Sequence, residues 1–153
     1  MIECIHYGLY LPSIYWIERI KDTHTIGMAL LAIPCAALCY QVLFCITILA
    51  IKRLTKPIKP GQYPKYSFVC LGQWLITKLL EMPEILVMAD SLYYPFFLRL
   101  LGAKLGSNVE VSEISNITPE LIIIHDQGFV AAYASIAAAK TYHDKVFMSL
   151  IHI

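Results

Sequence analysis

The chain has 153 residues, of which 58% are hydrophobic and only 15% are charged, against about 25% charged residues in an ordinary soluble domain. Its 12 basic and 11 acidic residues leave a net charge of +1, which gives no electrostatic basis for binding nucleic acid. So large an apolar fraction exceeds what one small water-soluble core can bury, and it excludes disorder. The composition therefore predicts a membrane-associated chain, a fragment of a larger protein, or both.

The first segment, residues 1–22, mixes aromatic side chains with leucine, isoleucine and proline. Its aromatic residues include Tyr7, Tyr10, Tyr15 and Trp16. Side chains of this type accumulate at the headgroup level of a bilayer. We therefore expect an interfacial segment here, or the remainder of a truncated membrane segment.

Residues 23–51 form the longest run without a lysine, arginine, aspartate or glutamate. As a helix, the apolar centre Ile26–Ile51 would be about 39 Å long, and a bilayer core is about 30 Å thick. Two basic residues, Arg19 and Lys21, precede this run. The basic residues that follow it are Lys52, Arg53, Lys56, Lys59 and Lys65. The length of the apolar run predicts a transmembrane helix. The larger number of basic residues after it predicts that its C-terminal side is in the cytoplasm.

Residues 52–66 contain prolines, a glycine and lysines, a composition that predicts a basic linker. In residues 67–100, apolar side chains recur at helical spacing, but Lys78, Glu81 and Asp90 interrupt the apolar stretch. A pair of amphipathic helices, broken near Pro83 and lying in the membrane interface, fits this pattern better than a second span.

A six-residue period begins at Leu105. The aliphatic residues that open its units are Leu105, Val111, Ile117, Ile124, Val130 and Ile136. In a triangular parallel β-helix, each flat face takes six residues and the opening aliphatic side chain points inward. Small or medium residues such as Val109 and Gly128 come fifth in most units, where we expect the turn between faces. An ordinary sheet, with its strand period of two, is the alternative reading of residues 101–153.

Three motifs follow one another in this order: Tyr63-Pro64 with Trp74, the run from Leu101 to Gly106, and Pro119-Glu120-Leu121 with Ile124-His125-Asp126. Residues 60–153 thereby resemble the membrane-embedded C-terminal region of non-ribosomal-peptide-synthetase-like proteins of the poly-lysine-synthetase type. In that family, membrane helices alternate with left-handed β-helix units similar to those of hexapeptide-repeat acyltransferases. One departure is His125, which stands where the family has glycine.

The resemblance implies a mixed fold, in which transmembrane and interfacial α-helices precede an incomplete left-handed parallel β-helix of hexapeptide repeats. It also implies acyl transfer or peptide-bond formation from an acyl-CoA or a phosphopantetheine-linked donor. Adenylation and carrier domains would be partners within the intact protein. The chain itself contains neither domain, and we expect a fragment without a cofactor. We also expect it to be inactive alone, because the β-helix coils that would build a donor groove are missing.

Histidine is the usual general base of hexapeptide-repeat acyltransferases, because its pKa lies near neutrality. The catalytic candidates are therefore His143, which precedes Asp144, and His125, which precedes Asp126. The sequence favours structural roles for both, a solvated polar turn for His143-Asp144 and a corner pair for His125-Asp126. His152 is too close to the end of the sequence to interpret. The five cysteines form no metal-binding spacing with histidine, and we predict no metal.

A second hypothesis belongs to another class of protein. An incomplete β-helix exposes an unpaired strand edge, which could pair with another polypeptide or with a second copy of the chain. In this reading, the chain is a non-catalytic membrane anchor or assembly module. The lipid bilayer is a partner in both readings.

Overall fold

The computed structural model describes residues 2–23, 26–55 and 57–153. Four residues lie outside the described residues. They are Met1 of the predicted first segment, His24 and Thr25 of the predicted transmembrane run, and Lys56 of the predicted basic linker. The chain divides into two compact units, Met1–Ile48 and Leu49–Ile153.

The first unit contains helix α1 (Ile2–Thr23) and most of helix α2 (Ile26–Leu54). Buried side chains recur every four residues along α2, at Ala32, Ala36, Tyr40, Phe44 and Ile48. Residues four apart share one face of a helix, so these side chains form a single stripe. Helix α1 contacts this stripe, since the ring of Tyr10 stacks on that of Tyr40 with a centroid distance of 4.2 Å.

Most of the other described side chains of α2 are apolar and exposed. Its exposed side chains include Leu30, Leu31, Leu38, Val42 and Ile46. Leu30–Leu54, with 25 residues, is long and apolar enough to cross a membrane by length and composition, and it is the one such helix in the part of the chain described. The helix extends past the predicted end at Ile51, because Lys52 and Arg53 have high helix propensity.

The second unit begins with a strand and three helices. They are β1 (Gly61–Pro64), α3 (Phe68–Leu80), α4 (Pro83–Ala89) and α5 (Tyr94–Leu100). The Ser67 side chain caps α3 by accepting a hydrogen bond from the N–H of Cys70. Proline in the first turn suits α4 and α5, because the amide that it lacks has no partner inside a helix. The predicted helix pair is thus three helices, and the predicted linker contains a strand.

Short strands follow, together with a 3-10 turn at Pro119–Leu121. They are β2 (Lys104–Leu105), β3 (Glu110–Val111), β4 (Ile114–Ser115), β5 (Ile122–Ile124), β6 (Phe129–Val130), β7 (Ala134–Ser135), β8 (Ala139–Tyr142), β9 (Lys145–Met148) and β10 (Ile151–His152). The order predicted from the sequence, an apolar helix followed by further helices and then strands, is therefore present.

Most of these strands pair in parallel at a nearly constant sequence separation. Leu105 pairs with Ile124, and Val111 pairs with Val130. In both cases the first residue of one six-residue unit therefore lies beside the first residue of the unit 19 positions later. Val111, Ile124 and Val130 are buried. These two pairings agree with the predicted units, whereas the pairing of Ile114 with Ala134 joins residues that do not open a unit.

The turns between these short strands use left-handed backbone conformations. Asn108, Gln127 and Tyr133 have φ angles of 53°, 61° and 63°, and each is the fourth residue of its six-residue unit. The sequence pattern predicts the turn at the fifth, small residue of each unit. In the structure, the left-handed conformation lies one position earlier, at the fourth residue of the unit. This conformation is unfavourable for any residue that has a Cβ. At the fifth position, a Cβ on Gly128 would come within 3.0 Å of the His125 carbonyl oxygen.

An antiparallel hairpin interrupts the parallel strands after Ile136. Strands β8 and β9 pair with each other, and β9 also pairs with β1. Ile151 then pairs in parallel with Ile122, 29 positions earlier. The hairpin contributes the ten extra residues, since the Ser149 amide donates to the Ala138 carbonyl oxygen at 2.9 Å across its base. The predicted β-helix unit that starts at Ile136 is therefore wrong beyond Ala138, because alternating strand residues also satisfy a period of six.

The core of the second unit joins the hairpin to α3. Its buried cluster contains Ile58, Cys70, Leu121, Ala138, Val146 and Met148. Polar contacts hold α3 to the turn before β5: the Thr77 hydroxyl donates to the Ile117 carbonyl oxygen at 3.0 Å, and the Gln73 amide donates to the Thr118 hydroxyl at 3.1 Å. Buried polar groups of this kind need such partners, so these contacts define where α3 lies.

Candidate functional site

One of the two candidate histidines, His125, lies beside His152 in the structure. The rings of His125 and His152 stack with a centroid distance of 6.0 Å and an interplanar angle of 26°. The parallel pairing of β10 with β5 brings them together, and the His125 amide donates to the Ile153 carbonyl oxygen at 2.9 Å. Both side chains are exposed.

His143 belongs to a different feature, the two-residue turn between β8 and β9. Its φ is 51°, and its ring meets that of Tyr142 edge-on at a centroid distance of 4.4 Å. The neighbouring Asp144 accepts a hydrogen bond from the Lys65 amide through its backbone carbonyl, at 2.9 Å. Among the ring contacts of the described residues, none joins His143 to His125 or His152.

Asp126 serves the local turn. Its Oδ1 accepts a hydrogen bond from the Ser107 amide at 2.6 Å. A Cβ at Gly106 would lie 2.6 Å from the Asp126 amide nitrogen and would also overlap the carboxyl group. Gly106 is thus needed for close approach. Gly106 and Asp126, together with Lys104 and His125, line a shallow surface cleft of about 270 Å³.

The proteins that residues 60–153 resemble have glycine where His125 stands, as expected for a tight corner. His125 does not have a positive φ in this structure. The close approach occurs instead at Gly106, which faces Asp126 from the neighbouring strand, and at Gly128. These two glycines supply the space that the corner needs.

Two side chains of the second unit have shifted pKa values. The pKa of Glu81 is lowered, chiefly because the Lys78 ammonium donates a hydrogen bond of 2.6 Å to its Oε2, with help from the Asn116 amide. Burial, with a smaller effect from the charge of Glu113, raises the pKa of Tyr94 to about 12. Both residues lie where helices contact the strands, so these shifts belong to packing.

Sequence reasoning missed the ion pair of Lys52 and Glu120. The Lys52 Nζ lies 2.6 Å from Glu120 Oε2, and the two side chains are only 11% and 13% exposed. The Ile58 amide donates to the same oxygen at 2.8 Å. The Pro119-Glu120-Leu121 motif singles out Glu120 in the sequence. Nothing in the motif indicates Lys52, which lies 68 residues earlier.

The described residues contain no group of three or more histidine, cysteine, aspartate or glutamate side chains able to hold a metal ion. What they provide chemically is limited to an exposed histidine pair beside Asp126 and a separate histidine in a turn. An imidazole can accept a proton near neutral pH. The candidate residues therefore remain general-base candidates by residue type.

No protein-family model matches the chain, and no solved structure matches it. The chain is similar to the delta-poly-L-ornithine synthetase of Acinetobacter baumannii (strain AB307-0294), with 24% identity over 110 residues. That segment covers 72% of this chain but only 8% of the synthetase. The similarity supports a relationship to poly-amino-acid-synthetase-like proteins.

Proposed function

We propose that the chain is a membrane-anchored part of a non-ribosomal-peptide-synthetase-like protein that makes an amino-acid polymer or peptide. The observation that carries this proposal is the 110-residue similarity to the delta-poly-L-ornithine synthetase. In the intact protein, the strand region would form an acyl-transfer platform beside the bilayer. Its substrates would be acyl groups linked to coenzyme A or to the phosphopantetheine of a carrier domain, after activation by an adenylation domain.

The proposal includes an incomplete left-handed β-helix in residues 101–153. It is supported by the parallel pairing of residues 19 positions apart and by the buried aliphatic residues that open the six-residue units. The positive φ angles of Asn108 and Gln127, which are also 19 positions apart, support turns that repeat along the same edge. A solenoid built this way buries its first residues by stacking them.

The proposal also includes an orientation in the membrane. Helix α2 would span the bilayer, and the side that follows it would be cytoplasmic. Arg19 and Lys21 precede the helix, whereas Lys52, Arg53, Lys59 and Lys65 are among the basic residues at or after its end. The positive-inside rule supports that orientation.

We further propose that the chain does not catalyse transfer by itself. His125 and His152 are exposed, and His143 lies in a separate turn. A general base acts within hydrogen-bonding reach of the proton that it removes, in a site that also binds the substrate. Further β-helix units, or another domain, would supply the rest of that site.

One observation favours the non-catalytic alternative. In the part of the chain described, β10 stands at the end of its sheet, in the order β10, β5, β2. An end strand has one edge with unpaired backbone groups, and such an edge can pair with another chain. An assembly module that docks a partner polypeptide, or a second copy, through β10 is therefore the second candidate.

A chimera tests the proposal. The matching segment of the delta-poly-L-ornithine synthetase would be replaced by the corresponding 110 residues of this chain, and polymer formation would be measured in membranes. We expect polymer to form, and a chimera with a scrambled segment of equal composition is the control. A chimera that inserts into membranes at normal abundance but makes no polymer would contradict the proposal.

The purified chain provides a second measurement. In nanodiscs, with aminoacyl-coenzyme A or aminoacyl-carrier donors and an amine acceptor, we expect no product above a protein-free control. Rapid turnover would contradict the proposed inactivity of the isolated chain. In that case, His125→Ala and His143→Ala would identify the base.

A further inference from the structure

The described part of the second unit contains a cleft of about 590 Å³ between α3 and the β8–β9 hairpin. Its walls are mostly apolar, and its volume lies within the range of about 300–1,000 Å³ that is typical of ligand sites. The residues that line it are Lys65, Tyr66, Ser67, Phe68, Cys70, Leu71, Gln73, Trp74, Ala139, Thr141 and Val146. The hairpin interrupting the parallel strands therefore supplies one wall of the cleft.

The helical wall of the cleft is unusually exposed. Phe68 is 91% exposed, Leu71 is 51% exposed and Trp74 is 47% exposed. Residues at this spacing lie along one side of a helix. Large adjacent apolar side chains that remain in water mark a surface for binding a partner or a membrane.

The position of α3 within the second unit indicates which partner this is. A Cβ on Gly72 would lie 2.6 Å from Thr55 Cγ2, so α3 packs directly against the residue that follows α2. The Thr55 amide in turn donates to the Ile51 carbonyl oxygen at 3.1 Å. If α2 spans the bilayer, as the proposed function states, its C-terminal end lies at the headgroups, and the contact with Thr55 brings α3, one wall of the cleft, next to that end.

One basic and one aromatic side chain among those lining the cleft, Lys65 and Tyr66, lie next to each other. The Lys65 ammonium is 5.8 Å from the centre of the Tyr66 ring, and both side chains are exposed. Arg53 and Lys59 are also exposed. A cation beside an exposed tyrosine, above an apolar surface, matches the arrangement of headgroup phosphate and acyl chain in a phospholipid.

We propose that this cleft binds one acyl chain of a phospholipid from the adjoining leaflet, with the headgroup phosphate near Lys65. The proposal rests on the spanning of α2 in the proposed function. The acyl chain covers Phe68, Leu71 and Trp74, which removes their apolar surface from water. The cleft thereby holds the strand region against the membrane surface.

Tryptophan fluorescence tests this proposal, because the chain has two tryptophans, Trp16 and Trp74. The Trp16→Phe variant of the full chain would be placed in liposomes of phosphatidylcholine whose acyl chains carry bromine, which quenches tryptophan on contact. We expect Trp74 to lose about half of its fluorescence relative to unbrominated lipid, as for an indole in the interface. Weak quenching by lipid with strong quenching by aqueous acrylamide would overturn the proposal.

Two matched variants separate the cleft from the outer helix surface. Thr141→Phe fills the cleft from β8, whereas Lys140→Phe adds the same ring to the opposite face of that strand. In zwitterionic lipid, we expect Thr141→Phe to abolish most of the lipid quenching and Lys140→Phe to leave it unchanged. Equal quenching in both variants would overturn the proposal, as would a cross-linked dimer in which Trp74 is shielded from brominated lipid.

Carbonate extraction of the same liposomes separates this inference from the proposed function. Resistance to carbonate reports the insertion of α2, and Trp74 quenching reports the cleft. An inserted chain without Trp74 quenching would overturn the cleft proposal alone. A chain removed by carbonate that nevertheless shows Trp74 quenching before extraction would contradict the spanning helix and support the lipid cleft.

Discussion

The Lys52 ammonium at the end of α2 and the Glu120 carboxylate before β5 form an ion pair of 2.6 Å, and both side chains are almost buried. The Ile58 amide adds a hydrogen bond to the same carboxylate oxygen. The pair therefore joins the end of α2 and the nearby Ile58 to a turn that is more than 60 residues later in the sequence. Because water reaches it poorly, removing one partner leaves a charge without compensation.

We predict that Lys52→Ala and Glu120→Ala each lower the free energy of unfolding by about 3 kcal/mol. Glu120→Ala is expected to cost more, because the Ile58 amide also loses its acceptor. The Lys52→Leu/Glu120→Leu double variant should recover part of the loss. The measurement is denaturant unfolding of the full chain in micelles, followed by circular dichroism.

The exposed pair of Lys78 and Glu81 is the control for that prediction. Its nitrogen–oxygen distance is also 2.6 Å, but the side chains are 44% and 23% exposed. Lys78→Ala should cost less than about 1 kcal/mol, as is usual for exposed pairs. Equal losses at Lys52 and Lys78 would show that burial of the first pair has no energetic effect.

The contact between Gly72 and Thr55 gives a second prediction. Gly72→Ala places a methyl group 2.6 Å from Thr55 Cγ2, and we expect a loss of about 1–3 kcal/mol from overpacking. Thr55→Ser removes that methyl group and keeps the hydroxyl that donates to the Lys52 carbonyl oxygen. The double variant should regain most of the stability in thermal unfolding. If Gly72→Ala and the Gly72→Ala/Thr55→Ser double variant unfold at the same temperature, the methyl group of Thr55 is not the cause of the loss.

The lowered pKa of Glu81 predicts a dependence of stability on pH. A carboxyl group whose pKa is lower in the folded state stabilises the fold above its unfolded pKa, and this stabilisation disappears as the pH falls through the folded value. Stability is therefore expected to fall once the pH drops to about 4.5, the ordinary pKa of the group, and to keep falling below that pH. Because the group is partly exposed, we expect a loss of less than about 1 kcal/mol.

Thermal unfolding measured from neutral to acidic pH checks this dependence. Glu81→Gln should show a smaller decrease in stability at acidic pH than the unaltered chain. Glu110→Gln, a change at an exposed carboxyl group on β3, is the control and should follow the unaltered chain. If the unaltered chain and both variants lose the same stability at acidic pH, Glu81 does not cause the loss.

His143 gives a prediction that separates stability from catalysis. Its φ of 51° lies in the left-handed region, which costs a residue with a Cβ roughly 1 kcal/mol or more. His143→Gly should therefore raise the unfolding free energy by about 1 kcal/mol. His125→Gly, where φ is not positive, should bring no gain.

The synthetase chimera shows whether His143 also has a chemical role. If His143→Gly stabilises the chain and polymer formation is unchanged, His143 serves only the turn. Loss of polymer by this more stable variant would instead identify His143 as a functional residue. Polymer formation measured at equal protein abundance distinguishes the two results.

Several elements were predictable because their causes are local. The apolar run before Lys52 predicts a helix, since a long uninterrupted apolar segment allows few other structures. The six-residue period predicts that Leu105 and Val111 align with residues in later strands, because it marks which side chains face the same way. The hairpin at Ala139–Met148 was missed, since short alternating strands satisfy the same period.

The candidate site shows the same limit. Residue type alone singled out His125 and His143, but it could not show that His125 stacks on His152 while His143 lies in a separate turn. The sequence by itself determined the apolar helix, the positions of the prolines that start α4 and α5, and the side chains that repeat in the strand region. Only the tertiary structure decided the Lys52–Glu120 pair, the Gly72–Thr55 contact and the cleft, because each depends on distances between segments far apart in the chain.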